Sequence, residues 1–254
     1  MGFKKQLPNI LTLLNLLSGT IAVYFAVKNQ LEISAAFVLL GIFFDFFDGF
    51  VARLLNVQGE LGKQLDSLAD VVTSGVVPGI ILLQLITKSL SKGSWDIMTT
   101  MTENHSVWDN FTTTFLISII GLFFTLAAAY RLANFNIDER QTNSFIGLPT
   151  PAAALVVVSL PLILMYADNE LVNNVINNTW FLIGLTILLS YLMNAEIVLF
   201  TLKFKEYSWK NNKVKFIFIL FTILLSVLLK FIAIPVIILL YVLISVFGSS
   251  KQRV

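Results

Sequence analysis

The sequence predicts an all-α protein that crosses a membrane several times as a bundle of helices. Of its 254 residues, 57% are hydrophobic and only 13% are charged, whereas soluble domains carry roughly 25% charged residues. The hydrophobic residues gather in eight runs, and a helix needs about 20 such residues to cross the hydrocarbon core. A soluble fold of this size has too little interior for so many apolar side chains, so we expect lipid to surround them.

The eight runs follow one another with polar connections between them. In chain order they cover roughly Asn9–Val27, Ile33–Leu55, Leu65–Ile86, Thr114–Ala133, Thr150–Tyr166, Trp180–Thr201, Val214–Leu229 and Phe231–Phe247. The last two are short and meet at Lys230, so they form two spans, one broken helix or a re-entrant pair. We expect one integral membrane domain over residues 1–254, whose last hundred or so residues add further membrane helices.

The basic residues indicate the orientation of the bundle. If the N-terminus is cytoplasmic and eight segments alternate, 13 of the 17 Lys and Arg residues lie in the cytoplasm and four lie on the far side. Cytoplasmic loops are enriched in these residues, so we expect both termini in the cytoplasm, most simply at a bacterial inner (plasma) membrane. The net charge of +2 gives no reason to expect a nucleic acid partner, and the chain has no cysteine for a disulfide or a thiolate site.

Five acidic residues fall inside the apolar runs, and four of them form two pairs. Asp45 and Asp48 are separated by three positions, and Asp66 and Asp70 by four, so each pair lies on one face of its helix. A charge at mid-membrane costs about 2.5–3.5 kcal/mol or more and usually marks function. Because the two helices are antiparallel, we expect both pairs in one cavity open to the cytoplasm. The fifth acid, Glu196, receives no role.

Carboxylates that converge in this way need to be neutralised. Protonation is one answer, but divalent cations are favoured because hard oxygen ligands suit Mg²⁺ or Mn²⁺. Two ions about 3.5–4 Å apart form the clamp used in phosphoryl transfer. We therefore expect two divalent ions shared by the four aspartates.

The residues between and beyond the pairs fit phosphate chemistry. Gly49 and Ala52 are small enough to let a ligand approach the backbone, although close helix packing would need the same residues. Arg53 supplies donors for phosphate oxygens, and Gly62 loosens the connection to the second pair. Arg131, near the cytoplasmic end of the fourth run, would pair with a substrate carboxylate, a phosphate or an aspartate, or would snorkel to the interface.

The whole stretch resembles the signature of the CDP-alcohol phosphotransferase family. It reads Asp45-Phe-Phe-Asp48-Gly49-Phe-Val-Ala52-Arg53, then eight residues, Gly62, three residues, Asp66, three residues and Asp70. The resemblance implies that the four aspartates hold the two metals, that Asp70 is also the catalytic base, and that the small residues and the arginine contact the CDP part. The residues so implied for the CDP part are Gly49, Ala52, Arg53 and Gly62.

Further stretches resemble the phosphatidylserine synthase branch of that family. They are the N-terminal Pro8-Asn9-Ile-Leu-Thr12, the segment Tyr130-Arg131-Leu-Ala-Asn134-Phe135-Asn136, and Gly147-Leu-Pro149-Thr-Pro151. This resemblance adds Asn9 and Thr12 to the site for the CDP part. The branch commonly has a basic residue where this chain has Asn134, which leaves Arg131 as the main candidate for binding the acceptor or a phosphate.

The resemblance implies an enzyme that moves a phosphatidyl group from CDP-diacylglycerol to the hydroxyl of L-serine and releases CMP. We expect direct attack without a covalent intermediate, because an enzyme nucleophile would need an activating base and the acids are occupied by metal. Family members are often dimers, so the resemblance also implies a homodimer among membrane lipids.

Three other readings compete with this one. Phosphatidylglycerophosphate synthase shares the signature but uses glycerol 3-phosphate, for which a more basic pocket than one arginine is expected. A cation transporter would spread its acids along a pathway, whereas here four gather at one depth. A catalytically inactive relative would not be expected to keep all four aspartates.

Overall fold

The structure is a computed structural model that describes residues 3–91, 107–138, 145–199 and 209–249. Its helices are α1 (Phe3–Val27), α2 (Leu31–Leu54), α3 (Glu60–Asp70), α4 (Val77–Leu90), α5 (Val107–Ser118), α6 (Phe123–Ile137), α7 (Thr150–Tyr166), α8 (Glu170–Ile176), α9 (Thr179–Asn194), α10 (Trp209–Leu229) and α11 (Ala233–Ser249). Strands β1 (Phe145–Ile146) and β2 (Val198–Leu199) form one short antiparallel pair. The predicted all-α class is therefore confirmed, with that pair as a small addition.

Several of these helices are long and apolar enough to cross a membrane. Among the described residues, five helical stretches meet that requirement, and a sixth does so if α8 and α9, which meet at a bend of 68°, form one span. Helix α7 is apolar but has only 17 residues. A multi-pass membrane protein is confirmed, while the number eight stays a prediction.

Helices α10 and α11 form a hairpin although their helical backbone is almost continuous. The rings of Phe218 in α10 and Tyr241 in α11 have centroids 5.9 Å apart, whereas 23 residues of straight helix would separate them by roughly 35 Å. The reversal lies at Lys230, whose φ of 50° is left-handed. The neighbouring Phe231 packs against Tyr166 at the end of α7, with ring centroids 5.6 Å apart.

The sixth predicted run is wrong at its C-terminal end. Helix α9 stops at Asn194, and Ala195 is extended with ψ 143°. The helix ends there because the chain continues into β2, where Leu199 is buried opposite Phe145 of β1. Glu196 consequently lies in an exposed connection and not inside a membrane helix.

A π-helical turn, Val71–Val76, joins α3 to α4 directly after Asp70. Its Thr73 is buried between α1 and α2, and its hydroxyl donates a hydrogen bond to the Asn15 carbonyl at 3.2 Å. A Cβ at Gly41 would lie 2.6 Å from Thr73 Cγ2 and 2.9 Å from Asn15 Oδ1, so only glycine allows α2 this close. This packing fixes the end of α3 against α1 and thereby fixes the position of Asp70.

Candidate active site

The two aspartate pairs come from α2 and from the end of α3, and the structure brings three of the four carboxylates together. One carboxylate oxygen each of Asp45, Asp48 and Asp66 lies within 4.8 Å of the other two. Asp48 is buried and the other two are half-buried. The spacing placed each pair on one face of its helix, and the packing of the helices brings the two faces together.

Asp70 lies beside this cluster but is not one of the three. Its carboxylate is 8% exposed and accepts a hydrogen bond from Asn15 Nδ2 at 3.1 Å. Asp48 is held in a similar way, because its carboxylate accepts a hydrogen bond from the Thr12 hydroxyl at 2.6 Å. Helix α1 thus orients one aspartate of each pair, since Thr12 holds Asp48 and Asn15, three positions later, holds Asp70.

Asn15 is a site residue that the sequence analysis did not assign. Its side chain is fully buried, and its amide oxygen has no hydrogen-bond partner. The signal was available, because Asn15 is a polar side chain inside an apolar run and shares a helix face with Thr12. Its role becomes apparent only from the hydrogen bond to Asp70, which is 55 residues away in the chain.

The three-carboxylate cluster fits a divalent cation. Oδ1 of Asp66 is buried and has no hydrogen-bond partner, and the cluster offers only carboxylate oxygens, the ligands that Mg²⁺ and Mn²⁺ prefer. Ionised carboxylates at this separation would repel one another by about 3 kcal/mol per pair even at an effective dielectric constant near 20. A bound cation would replace that repulsion by attraction.

A cavity of about 650 Å³ opens next to the cluster, with Asp48 and Asp66 in its wall. All six residues assigned to the CDP part line it: Asn9, Thr12, Gly49, Ala52, Arg53 and Gly62. They come from α1, α2 and α3, so residues 53 positions apart in the sequence form one surface. Asp45 and Asp70 do not line this cavity.

The cavity wall also contains residues that the sequence analysis did not assign to the site. They are Pro8, Val57, Gln58, Gly59, Glu60, Lys63 and Phe135. Lys63 Nζ donates a hydrogen bond to the Asn136 carbonyl at 2.6 Å, and Asn136 Nδ2 donates one to the Ser67 hydroxyl at 2.8 Å. These bonds tie α3 to the end of α6 and close one side of the cavity.

Filling the cavity at Gly49 is expected to block the site without harming the fold. A Cβ at Gly49 would meet nothing within 4 Å, and the same is true of Gly184 in α9. We expect Gly49→Leu to lower the turnover of a nucleotide substrate by about tenfold or more, a loss of roughly 1.4 kcal/mol of transition-state binding. Steady-state kinetics measures the effect, with Gly184→Leu as the matched control.

Both changes replace a helical glycine, so both are expected to keep or slightly raise thermal stability, by about 0.5–1 kcal/mol. If Gly49→Leu melts earlier than Gly184→Leu, the loss of activity would reflect misfolding. If Gly49→Leu keeps wild-type turnover, the cavity does not bind the nucleotide at this wall.

Arg131 belongs to a second cavity, of about 360 Å³. The side chain is 7% exposed, and Nη1 donates a hydrogen bond to the Thr150 hydroxyl at 3.1 Å. Its guanidinium carbon lies 5.7 Å from the centroid of the Phe135 ring, and Phe135 lines the first cavity. The Arg131 and Phe135 side chains therefore separate the two cavities. The snorkelling interpretation of Arg131 is wrong, since its side chain points into the protein.

Comparison with known protein families gives a match over most of the chain. A family model described as CDP-alcohol phosphatidyltransferase matches residues 5–202. This range begins in the first turn of α1 and extends past α9, so it holds both aspartate pairs and the residues of both cavities and leaves the α10–α11 hairpin outside.

Curated relatives agree with that match. The chain is 30% identical over 221 residues to the CDP-diacylglycerol–serine O-phosphatidyltransferase of a Helicobacter pylori strain, covering 86% of this chain and 79% of that protein. It is 29% identical over 154 residues to the enzyme of the same name from Bacillus subtilis, covering 61% of this chain and 74% of that protein. The archaetidylserine synthase of Methanothermobacter thermautotrophicus is 28% identical over 165 residues, covering 64% of this chain and 60% of that protein.

Proposed function

The chain belongs to the CDP-alcohol phosphatidyltransferase family, and from this premise we propose that it transfers a phosphatidyl group from CDP-diacylglycerol to the hydroxyl of L-serine. CMP is the leaving group. The observation that carries the proposal is the cavity in which the six residues assigned to the CDP part meet two of the four aspartates. A nucleotide diphosphate in this cavity would have its phosphates beside the acidic cluster.

Serine is the acceptor that the relatives favour. Bacterial relatives are named for transfer to serine, and the archaeal relative is named for archaetidylserine. In the part of the chain that the structure describes, Arg131 is the single basic residue that lines the second cavity. One arginine suits a carboxylate, whereas a phosphate dianion would call for more positive charge.

The protein's own side chains account for the proton transfer and for the orientation of the groups. The Asp70 carboxylate accepts the proton of the serine hydroxyl, and Asn15 holds that carboxylate in place through the hydrogen bond to Oδ1. The serine oxygen attacks the phosphorus that carries diacylglycerol, a new P–O bond forms, and the P–O bond to CMP breaks. The attack is direct, and positioning with electrostatic stabilisation supplies most of the rate.

The proposal includes divalent metal ions bound by the acidic residues. Asp45, Asp48 and Asp66 would hold it, and Asp70 would complete the set of two Mg²⁺ or Mn²⁺ ions that the family resemblance implies. Such ions, when bound, supply positive charge that neutralises the charge developing on the phosphate oxygens. Thr12 keeps the Asp48 carboxylate oriented for this task.

The proposed topology has eight spans and cytoplasmic termini in a bacterial plasma membrane. The reversal of the chain at Lys230 supports this topology. It lets Phe231 contact Tyr166 at the C-terminal end of α7, and the alternation of eight spans places both residues on the far side of the membrane. The active site lies near the cytoplasmic interface, where the nucleotide and serine enter from water and the acyl chains enter from lipid. The single domain over residues 1–254 and the homodimer are part of the same proposal.

The test is CMP release by the purified protein in mixed micelles of CDP-diacylglycerol with Mn²⁺ or Mg²⁺. Parallel reactions contain L-serine, glycerol 3-phosphate or inositol phosphate, each with and without EDTA. We expect release that depends on serine and disappears with EDTA. Release with another acceptor would support the transfer reaction but overturn serine as the acceptor. No release from folded, metal-loaded protein would favour an inactive relative or a transporter.

A further inference from the structure

The second cavity lies between the end of α6, the segment before α7 and the end of α9. Gly147 has a φ of +73°, and a Cβ there would collide with the carbonyl oxygen of Met193. Backbone hydrogen bonds link the Gly147 amide to the Ile197 carbonyl at 2.9 Å and the Leu148 amide to the Leu192 carbonyl at 2.8 Å. The connection after α9 is thereby held in a fixed position against the turn and places Glu196 in the cavity wall.

Charges of both signs line this cavity, and they lie at different depths. Arg131 is buried, whereas Asp138 is half-buried and Glu196 is exposed. The cavity thus runs from a buried cation toward two carboxylates nearer the water. The Nε of Arg131 is buried without a hydrogen-bond partner, which leaves a donor available at the deep end.

The deep end lies within electrostatic range of the carboxylate proposed as the base. Arg131 and Asp70 are close enough for their charges to interact, and the Arg131–Phe135 contact forms the wall between this cavity and the nucleotide cavity. A small acceptor bound against Arg131 would therefore lie beside both Asp70 and the nucleotide.

We propose that this cavity selects a zwitterionic amino acid as acceptor, with Arg131 binding its carboxylate and with Glu196 and Asp138 binding its ammonium group. The proposal rests on the proposed function and adds the residues that set its specificity. The same two carboxylates would repel a dianionic acceptor such as glycerol 3-phosphate, so they reject the acceptor of the rival reaction as well as bind the favoured one.

The test uses Glu196→Gln, Asp138→Asn and the double variant of the full chain in mixed micelles. A charge-assisted hydrogen bond lost from the ammonium group is expected to raise the KM for L-serine by about tenfold in each single variant, and by more in the double variant. The kcat should stay near the wild-type value because Asp70 and its surroundings are unchanged. Glu170→Gln, at an exposed glutamate that begins α8, is the matched control.

A second readout follows the chemistry of the amine. L-glycerate keeps the carboxylate and the reacting hydroxyl of serine but has a hydroxyl in place of the ammonium group. The wild-type protein is expected to prefer L-serine strongly, and the double variant is expected to lose most of that preference. Glu196→Asp keeps the negative charge, so it is expected to show more of the preference than Glu196→Gln.

The outcomes separate this inference from the function on which it rests. An unchanged serine KM and an unchanged preference over L-glycerate in the double variant would overturn the selectivity proposal and leave the enzyme assignment intact. A fall in kcat without a rise in KM would overturn it too. Failure of the wild-type protein to use serine at all would overturn both.

Discussion

Asp70→Asn is expected to lower the kcat for CMP release by about 10²–10⁴-fold, the contribution typical of a general base. Asparagine has the same shape and still accepts the hydrogen bond that Asn15 donates to Asp70, but it cannot take the proton of the acceptor hydroxyl. Steady-state assays at saturating CDP-diacylglycerol and serine measure the change. The KM for CDP-diacylglycerol should change less than the kcat, because Asp70 does not line the cavity assigned to the CDP part.

The control is Asp168→Asn, which makes the same substitution at an exposed residue of the loop between α7 and α8. It should retain wild-type turnover. An Asp70→Asn variant that elutes and melts like the wild type yet keeps more than about a tenth of its kcat would contradict a general base at this position.

Asp66→Asn is expected to abolish measurable turnover and to uncouple the stability of the protein from divalent metal. In the wild type, three carboxylates converge within 4.8 Å, so binding of Mn²⁺ at about 100 times its Kd should add roughly 2.7 kcal/mol of stability. Removing one of the three charges relieves their repulsion in the metal-free protein and weakens the metal site. The variant should therefore melt later than the wild type in EDTA and gain little from Mn²⁺.

Thermal unfolding of the detergent-solubilised protein, with EDTA and with graded Mn²⁺, measures both effects without relying on activity. Asp168→Asn again serves as the control and should respond to Mn²⁺ like the wild type. If the Tm of Asp66→Asn rises with Mn²⁺ as far as that of the wild type, Asp66 is not a metal ligand.

The contribution of the sequence is clearest at the aspartate pairs. Spacings of three and four residues put Asp45 with Asp48, and Asp66 with Asp70, on single helix faces, and local geometry alone decides such a relation. Spacing could not decide how the two faces meet. That depends on the packing of Thr73 against Gly19 and Gly41, which leaves three carboxylates in one cluster and Asp70 beside it, held by Asn15.

Where the sequence prediction was wrong, a distant partner had decided the local structure. Residues 195–201 continue an apolar run in the sequence, and the neighbouring residues did not predict that the helix ends at Asn194. The strand pairing of Val198 with Ile146 and the turn at Gly147 take residues 195–199 out of the membrane helix, and residues 200–201 of the predicted run lie outside the described residues. Arg131 was predicted as a site residue near the end of the fourth run, yet its burial against Thr150 depends on α7, and its place in a second cavity depends on the end of α9.

The sequence by itself determined that this chain crosses a membrane, that it belongs among the CDP-alcohol phosphotransferases, and which residues carry the signature, because hydropathy and motif spacing are properties of the chain alone. The tertiary structure alone decided that Asn15 supports Asp70, that Lys63 and Phe135 line the cavity assigned to the CDP part, and that Arg131, Asp138 and Glu196 share another cavity. Each of these relations joins side chains at least seven positions apart, and most join different helices. Such pairings follow from how the helices pack, and the order of residues does not encode them locally.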